Sequence, residues 1–152
     1  MTIMFAQETY ERIVDEILPL LPKHWEELAV YKDVPLEPDY DLYEKAAKAE
    51  KLVIYAARLD GALIGYSIFS VHARHPHYSS LKFAINDIVW IHPSFRERGF
   101  GRAFRDFWDK ALYDLGVGLV VIDTKVSHPA LRFLLEDGGY TVRSAGLEKR
   151  LR

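Results

Sequence analysis

The sequence predicts an α/β domain in which a mixed sheet carries helices on both faces. Three observations lead there. Two runs rich in Ile, Val, Tyr and Phe flank Asp60-Gly61, a strong signal for a two-residue hairpin turn. An apolar strand runs into a helix through a basic, glycine-bearing turn over residues 90–103. The order of the second half, β-hairpin, β, α, β, α, β, gives a sheet whose crossover helices must cover its faces.

Each element has its own warrant. Residues 8–29 place Ile13, Val14, Ile17, Leu18 and Leu21 at helical spacing, with Pro19 and Pro22 bending or dividing the helix. Residues 38–51 read as another helix, with Asp39 and Asp41 in its opening turn and lysines later, as the helix dipole favours. Residues 51–59 and 62–72 are strands pairing antiparallel around Asp60-Gly61. Residues 83–91 form a third strand, 102–115 a helix, 117–124 a strand and 128–137 a helix. Residues 140–143 and 147–151 read as a final strand pair. No internal repeat or linker interrupts the order, so the 152 residues, 49% of them apolar, read as a single domain with a real core.

Composition excludes several functions. A net charge of -2 gives no footprint for nucleic acid. The absence of cysteine rules out disulfides, thiolate zinc sites and a cysteine nucleophile, and fits the cytoplasm. Residues 1–6 are too short for a signal-peptide core, and no apolar stretch approaches a membrane span, so the expectation is a soluble protein with no membrane partner.

The turn from Trp90 to Ala103 carries the chemistry. A helix N-terminus presents unpaired N–H groups and about half a positive charge, so an anion placed there is stabilised. Gly99 and Gly101 let it approach and can take positive φ, while Arg96, Arg98 and Arg102 surround it with charge. The expected ligand is a phosphorylated cofactor. A P-loop is excluded because Gly101 is followed by Arg102 and Ala103, not by Lys and Ser or Thr. A dinucleotide fingerprint lacks its third glycine, which is Phe104 here, although Asp123 could pass for the ribose-binding acid. A plain strand-to-helix turn with solubilising arginines is the remaining alternative.

Arg96-x-x-Gly99-x-Gly101, preceded by Ile91-His92-Pro93, resembles the acetyl-CoA-binding motif of the GNAT family of N-acetyltransferases. Other parts follow in the family's order: the hairpin at residues 60–66, a fifth strand after Gly116, and a closing helix ending in Gly139-Tyr140. The resemblance is good over residues 50–152 and rests on helical character alone in the front third, where only residues 2–5 are available for a first strand. It implies a GNAT-like, mostly antiparallel central sheet. It also implies that the strand before the glycine turn and the strand after its helix splay apart to admit the pantetheine arm, which pairs with Ile91 and its neighbours. Cofactor contact falls by resemblance on Ile91, Arg96, Arg98, Gly99, Phe100, Gly101, Arg102 and His128, with acetyl-CoA as cosubstrate. A looser resemblance of residues 84–88 and the Gly139-Tyr140 ending is to acetyltransferase-like proteins of bacterial viruses.

Direct transfer to an amine needs a base, a polarised thioester carbonyl and a proton for the leaving thiolate. Asp87 is the candidate base: by simple alternation it shares a strand face with Val89 and Ile91, and entry into an apolar strand would raise its pKa. Alternatively, it caps the strand and pairs with Lys82 or an arginine. His72, His75 and His77 crowd a loop that borders the acceptor site in this family and could relay a proton or meet an acidic acceptor; their spacing matches no recognised zinc pattern, and no metal is expected. His128 stands where the family often has Asn. Leu135 stands where many relatives carry the Tyr that protonates the thiolate, with Tyr78 or water as substitutes. Two functions remain open: an acetyl-CoA-dependent N-acetyltransferase acting on a small-molecule or protein amine, and an acetyltransferase-like protein that works by binding a protein partner; a homodimer is a candidate assembly for either.

Overall fold

A computed structural model describes residues 2–97, 99–128, 131–136, 138–144 and 146–152, leaving aside the side chain of Phe133. Five strands form one sheet in chain order: β1 (Ile3–Glu8), β2 (Leu52–Leu59), β3 (Ala62–His72), β4 (Phe83–Ile91) and β5 (Leu119–Ile122). The first four pair antiparallel and β5 joins β4 in parallel. The mixed, mostly antiparallel sheet is therefore present. Asp60 and Gly61 turn the central hairpin with φ of 47° and 91°, the two positive values that a type I′ turn demands.

Helices cover both faces. On one, α4 (Phe100–Asp114) lays Phe104, Trp108 and Leu112 against Tyr55, Phe69, Ala84, Val89 and Ile91, and Leu134 of α5 (Leu131–Leu135) closes the same core. On the other, Ile13 and Ile17 of α1 (Tyr10–Ile17) pack on Ile54, Ala56, Tyr66, Ile68 and Trp90. Full burial of each large apolar side chain contributes about 1.5–3 kcal/mol, so the two cores carry most of the stability. The helix expected over residues 8–29 is divided at its prolines: α1 passes through a 3-10 turn at Leu18–Leu20, with Pro19, into α2 (Leu21–Leu28), with Pro22 in its first turn. Helix α3 (Tyr40–Lys48) starts where Asp39 accepts the Leu42 N–H at 3.0 Å, an N-cap. No described helix is long and apolar enough to cross a membrane.

Two expectations need correction. Strand β1 is longer than residues 2–5, because Gln7 and Glu8 continue it: Glu8 is buried by its ion pair with Arg58 of β2, so a carboxylate occupies a strand position that apolar patterning does not signal. The final strand pair at residues 140–143 and 147–151 does not form. Gly139 enters that segment at φ 71°, and Val142, Leu147 and Leu151 are 76–95% exposed, so the apolar positions meet no core that would order them as strands.

Candidate active site

The site begins where two strands part. Strand β5 pairs with β4 only from Phe83↔Leu119 to Asn86↔Ile122, while β4 runs on to Ile91. Among the described residues, no strand covers that side of β4 from Asp87 to Ile91. The His92 N–H donates to the Ile64 carbonyl at 2.8 Å, and an antiparallel ladder alternates. Val89 and Ile91 therefore turn their peptide groups away from β3, toward the open side. The Ile91 carbonyl accepts there from Arg96 Nε at 3.0 Å.

A β-bulge sits at the point of parting. Ile68 faces Ile88, but the next residue, Phe69, faces Asn86, so Asp87 is the inserted residue. Side-chain alternation breaks there. Val89 and Ile91 pack in the α4 core, while Asp87 Oδ2 accepts from Tyr43 Oη of α3, on the opposite side, at 2.6 Å. The expectation that Asp87 shares a face with Val89 and Ile91 is thus overturned, because the bulge shifts the register by one residue. Asp87 is also exposed, so the desolvation expected of an apolar strand is not met. Lys82 is not its partner: that ammonium donates to the Leu115 carbonyl at 2.6 Å. Burial, and then the bond to Asp87, push the Tyr43 phenol well above its ordinary pKa.

Below the bulge, Asn86 holds the distorted backbone. Its buried amide nitrogen lies 3.1 Å from the carbonyls of both Ile68 and Ile88 and 3.0 Å from Ser67 Oγ.

The glycine turn follows β4 directly. Gly99 caps α4 at φ 77°, a left-handed conformation that L side chains rarely adopt. Gly101 is buried within the first helical turn. Helix geometry leaves the first N–H groups, at Phe100 and Gly101, without an intrahelical acceptor. The Phe100 ring is in the core against Phe5, Phe95 and Phe104, so only its backbone belongs to the turn. The Arg96 guanidinium is engaged by Glu27 of α2, with bonds of 2.5 and 2.9 Å, and these hold Glu27 below the usual carboxylate pKa. Arg102 bonds Glu136 at 2.6 Å. Arg98 lies outside the described residues. His128 is half-buried just after β5, its pKa lowered by burial, with Glu27, Arg96 and Lys125 as its charged surroundings.

On the α1–α3 side of the sheet is a chamber of about 540 Å³. Ile54, Ile68 and Ile88 form its floor, helices α1 to α3 supply Tyr10, Trp25 and Tyr43, and Val34 and Leu36 line it from the connection between α2 and α3. Its polar groups include Glu37, Lys125 and Glu148. Beside it, burial pushes His24 down to about 4, where its ring lies against Tyr66 and Trp90.

The histidine loop lies elsewhere. His72 and His75 pack on Phe83, at the start of β4 and the opposite end from the glycine turn, and His77 lies against His75. None of the three lines the chamber. Among the described residues no group of three or more His, Cys, Asp or Glu is placed to hold a metal ion. Leu135 is 44% exposed at the end of α5, Tyr78 is exposed on the His75 ring, and Tyr140 donates to Asp109 of α4 at 2.5 Å. Sequence reasoning singled out the turn and Asp87 but gave no signal for Tyr43, the Arg96–Glu27 pair or the chamber. A tyrosine on an amphipathic helix carries no signal that it will meet a carboxylate 44 residues away.

No curated protein matches this chain by sequence. Solved structures resemble it over nearly their whole length. A ribosomal-protein-alanine N-acetyltransferase from Brucella melitensis biovar Abortus 2308 shares 20% identity with a TM-score of 0.73, covering 99% of this chain and 100% of its own. An aminoglycoside acetyltransferase from an uncultured soil metagenomic sample, solved with sisomicin, shares 16% at TM-score 0.75, covering 99% and 97%. A predicted acetyltransferase from Clostridium acetobutylicum, solved with acetyl-CoA, shares 11% at TM-score 0.70, again covering 99% and 97%. The sequence profile of the acetyltransferase (GNAT) family matches residues 11–139. With the parted strands and the glycine turn in place, the chain belongs to the GNAT acetyltransferase family.

Proposed function

We propose that residues 1–152 act as one acyl-CoA-binding domain that transfers an acetyl group from acetyl-CoA directly to an amine, in the cytoplasm. The observation that carries this reading is the continuity of the open β4 edge with the turn at Gly99. An extended amide-bearing chain can pair with the peptide groups of Val89 and Ile91, and a pyrophosphate can then meet the N–H groups opening α4. In this reading Gly99, Phe100 and Gly101 contribute backbone, Arg98 and Arg102 contribute charge, and His128 stands across the gap. Arg96 acts as a positioning residue, because its guanidinium ties the Ile91 carbonyl to Glu27.

Asp87 is the proposed base. It receives one proton from the acceptor's ammonium, directly or through water, and the freed nitrogen lone pair attacks the acetyl carbonyl carbon. A C–N bond forms, the C–S bond breaks, and the second nitrogen proton leaves through solvent to the thiolate. The products are the acetamide, CoA as thiol, and one proton passed from Asp87 to solvent. Water serves as the acid because Leu135 supplies none. The lack of a phenol there also favours the second reading, a protein that binds a partner with weak or no turnover.

Thiol release separates them. Acetyl-CoA should raise the melting temperature of wild type and Asp87→Asn equally. Asp87→Asn should transfer acetyl about a hundredfold more slowly, the usual weight of a general base. An unchanged rate in that variant removes Asp87 from the mechanism, and a melting temperature indifferent to acetyl-CoA removes the acetyltransferase reading.

A further inference from the structure

We infer that the chamber receives the body of a small amine bearing an apolar, aromatic group, which identifies the acceptor class; this rests on the acetyltransferase reading above. Position is the first argument. Ile88 lines the chamber from β4, beside the bulge, and Lys125 lines it from the segment after β5, so it spans the mouth of the gap between the parted strands. Asp87 is not itself a wall residue, but its partner Tyr43 is, so an amine seated there can present its nitrogen toward Asp87 past the Tyr43 hydroxyl.

Chemistry is the second argument. The floor is aliphatic and the walls include the aromatic side chains of Trp25 and Tyr10, against which a flat ring can pack. Hydroxyls placed against these surfaces would lose water without finding partners, which costs about 1–3 kcal/mol each. Charge is complementary to a single cation. Glu37 and Glu148 are the chamber's acids, and its lysine, Lys125, already donates to the Leu28 carbonyl.

Size is the third. A volume of about 540 Å³ falls within the range of about 300–1,000 Å³ typical of small-ligand sites. The C-terminal segment limits it further: Glu148 accepts from Tyr31 Oη at 3.2 Å, and Arg150 holds Asp33 through bonds of 2.7 and 2.8 Å. That arrangement suits a compact body better than a polypeptide.

The test uses the full chain with acetyl-CoA and measures thiol release with 2-phenylethylamine, tryptamine, spermidine, kanamycin and an alanine-initiated peptide. Arylalkylamines should exceed the others in kcat/KM by about a hundredfold. Leu36→Asp, at a position 41% exposed in an irregular segment and therefore compatible with folding, should raise KM for 2-phenylethylamine about tenfold while leaving KM for acetyl-CoA unchanged. Calorimetric titration of 2-phenylethylamine into the CoA-bound protein provides a readout independent of turnover. Preference for spermidine, kanamycin or the peptide overturns the inference and leaves acetyl transfer standing. Calorimetric binding that Leu36→Asp weakens, without turnover of any amine, supports the chamber assignment and sinks the transferase reading. No binding of 2-phenylethylamine, or a dimer that Leu36→Asp splits, overturns the inference outright.

Discussion

His24 packs beneath the site with only 7% of its surface exposed, its Nδ1 3.3 Å from Tyr66 Oη. Burial keeps it neutral in the folded protein down to about pH 4, whereas the unfolded chain takes up a proton near 6.5. Above pH 6.5 neither state carries that proton and nothing is lost. Between 6.5 and about 4 the unfolded state binds more protons, so stability declines, by about 3 kcal/mol in all. Urea titrations at successive pH values should show this slope in wild type and a flatter one in His24→Phe over the same window. A wild-type curve flat from pH 6.5 to 4.5 would show that His24 is not buried neutral. Nothing around His24 in the sequence foretold this. A histidine in a helical run reads as exposed until the aromatic rings on the neighbouring sheet are placed against it.

Among the elements, β4 depends most on one side chain. Asn86 is shared by the carbonyls on both sides of the bulge, so Asn86→Leu strips two buried acceptors of that donor while keeping the heavy-atom count and the branching at Cγ. The expected loss is about 2 kcal/mol of unfolding free energy, read from the denaturation midpoint, with slope unchanged. A variant as stable as wild type would mean that the bulge is held by the pairing of β3 and β4 alone. The strands, the hairpin at Asp60-Gly61 and the start of α4 were legible because turn chemistry and apolar runs are local. The bulge was not, since an inserted residue shows only when two strands are aligned. That is why simple alternation put Asp87 on the face of Val89 and Ile91, which it does not share.

Across the whole molecule, Arg58 joins the first strand, the first helix and the central sheet. Its guanidinium bonds Glu8 at 2.7 and 2.8 Å, Glu16 at 2.7 and 2.9 Å, and the Gly61 carbonyl at 2.9 Å. The Glu8 side chain is 3% exposed, so removing Arg58 leaves a buried charge with only the more distant Arg12, at 3.6 Å, to pair with among its described ion partners. Arg58→Met should cost about 3 kcal/mol or more, and adding Glu8→Gln should recover part of it. Those bonds hold both carboxyls below their ordinary value of 4.5, so their contribution is complete above pH 4.5 and fades as the pH falls further. Thermal melts of the two variants at pH 7 check the energy, and strictly additive effects would show that the pair is not coupled. The overall architecture followed from element order, but this cross-brace did not, because it links residues 50 positions apart.

The order of the sheet also bears on how the chain assembles. Every strand sits beside its sequence neighbour, but β2, β3 and β4 follow one another through short connections, whereas helices α1 to α3 intervene between β1 and β2 and α4 between β4 and β5. Closing the two long connections, residues 9–51 before β2 and 92–118 before β5, costs entropy before any contact rewards it, so the ribbon β2–β3–β4 is expected to form first and β1 and β5 to join it later. The gap that opens beyond Asn86 is thus a seam between the early ribbon and a strand that joins it later. A molecule that fills it would also clamp that late strand to the ribbon.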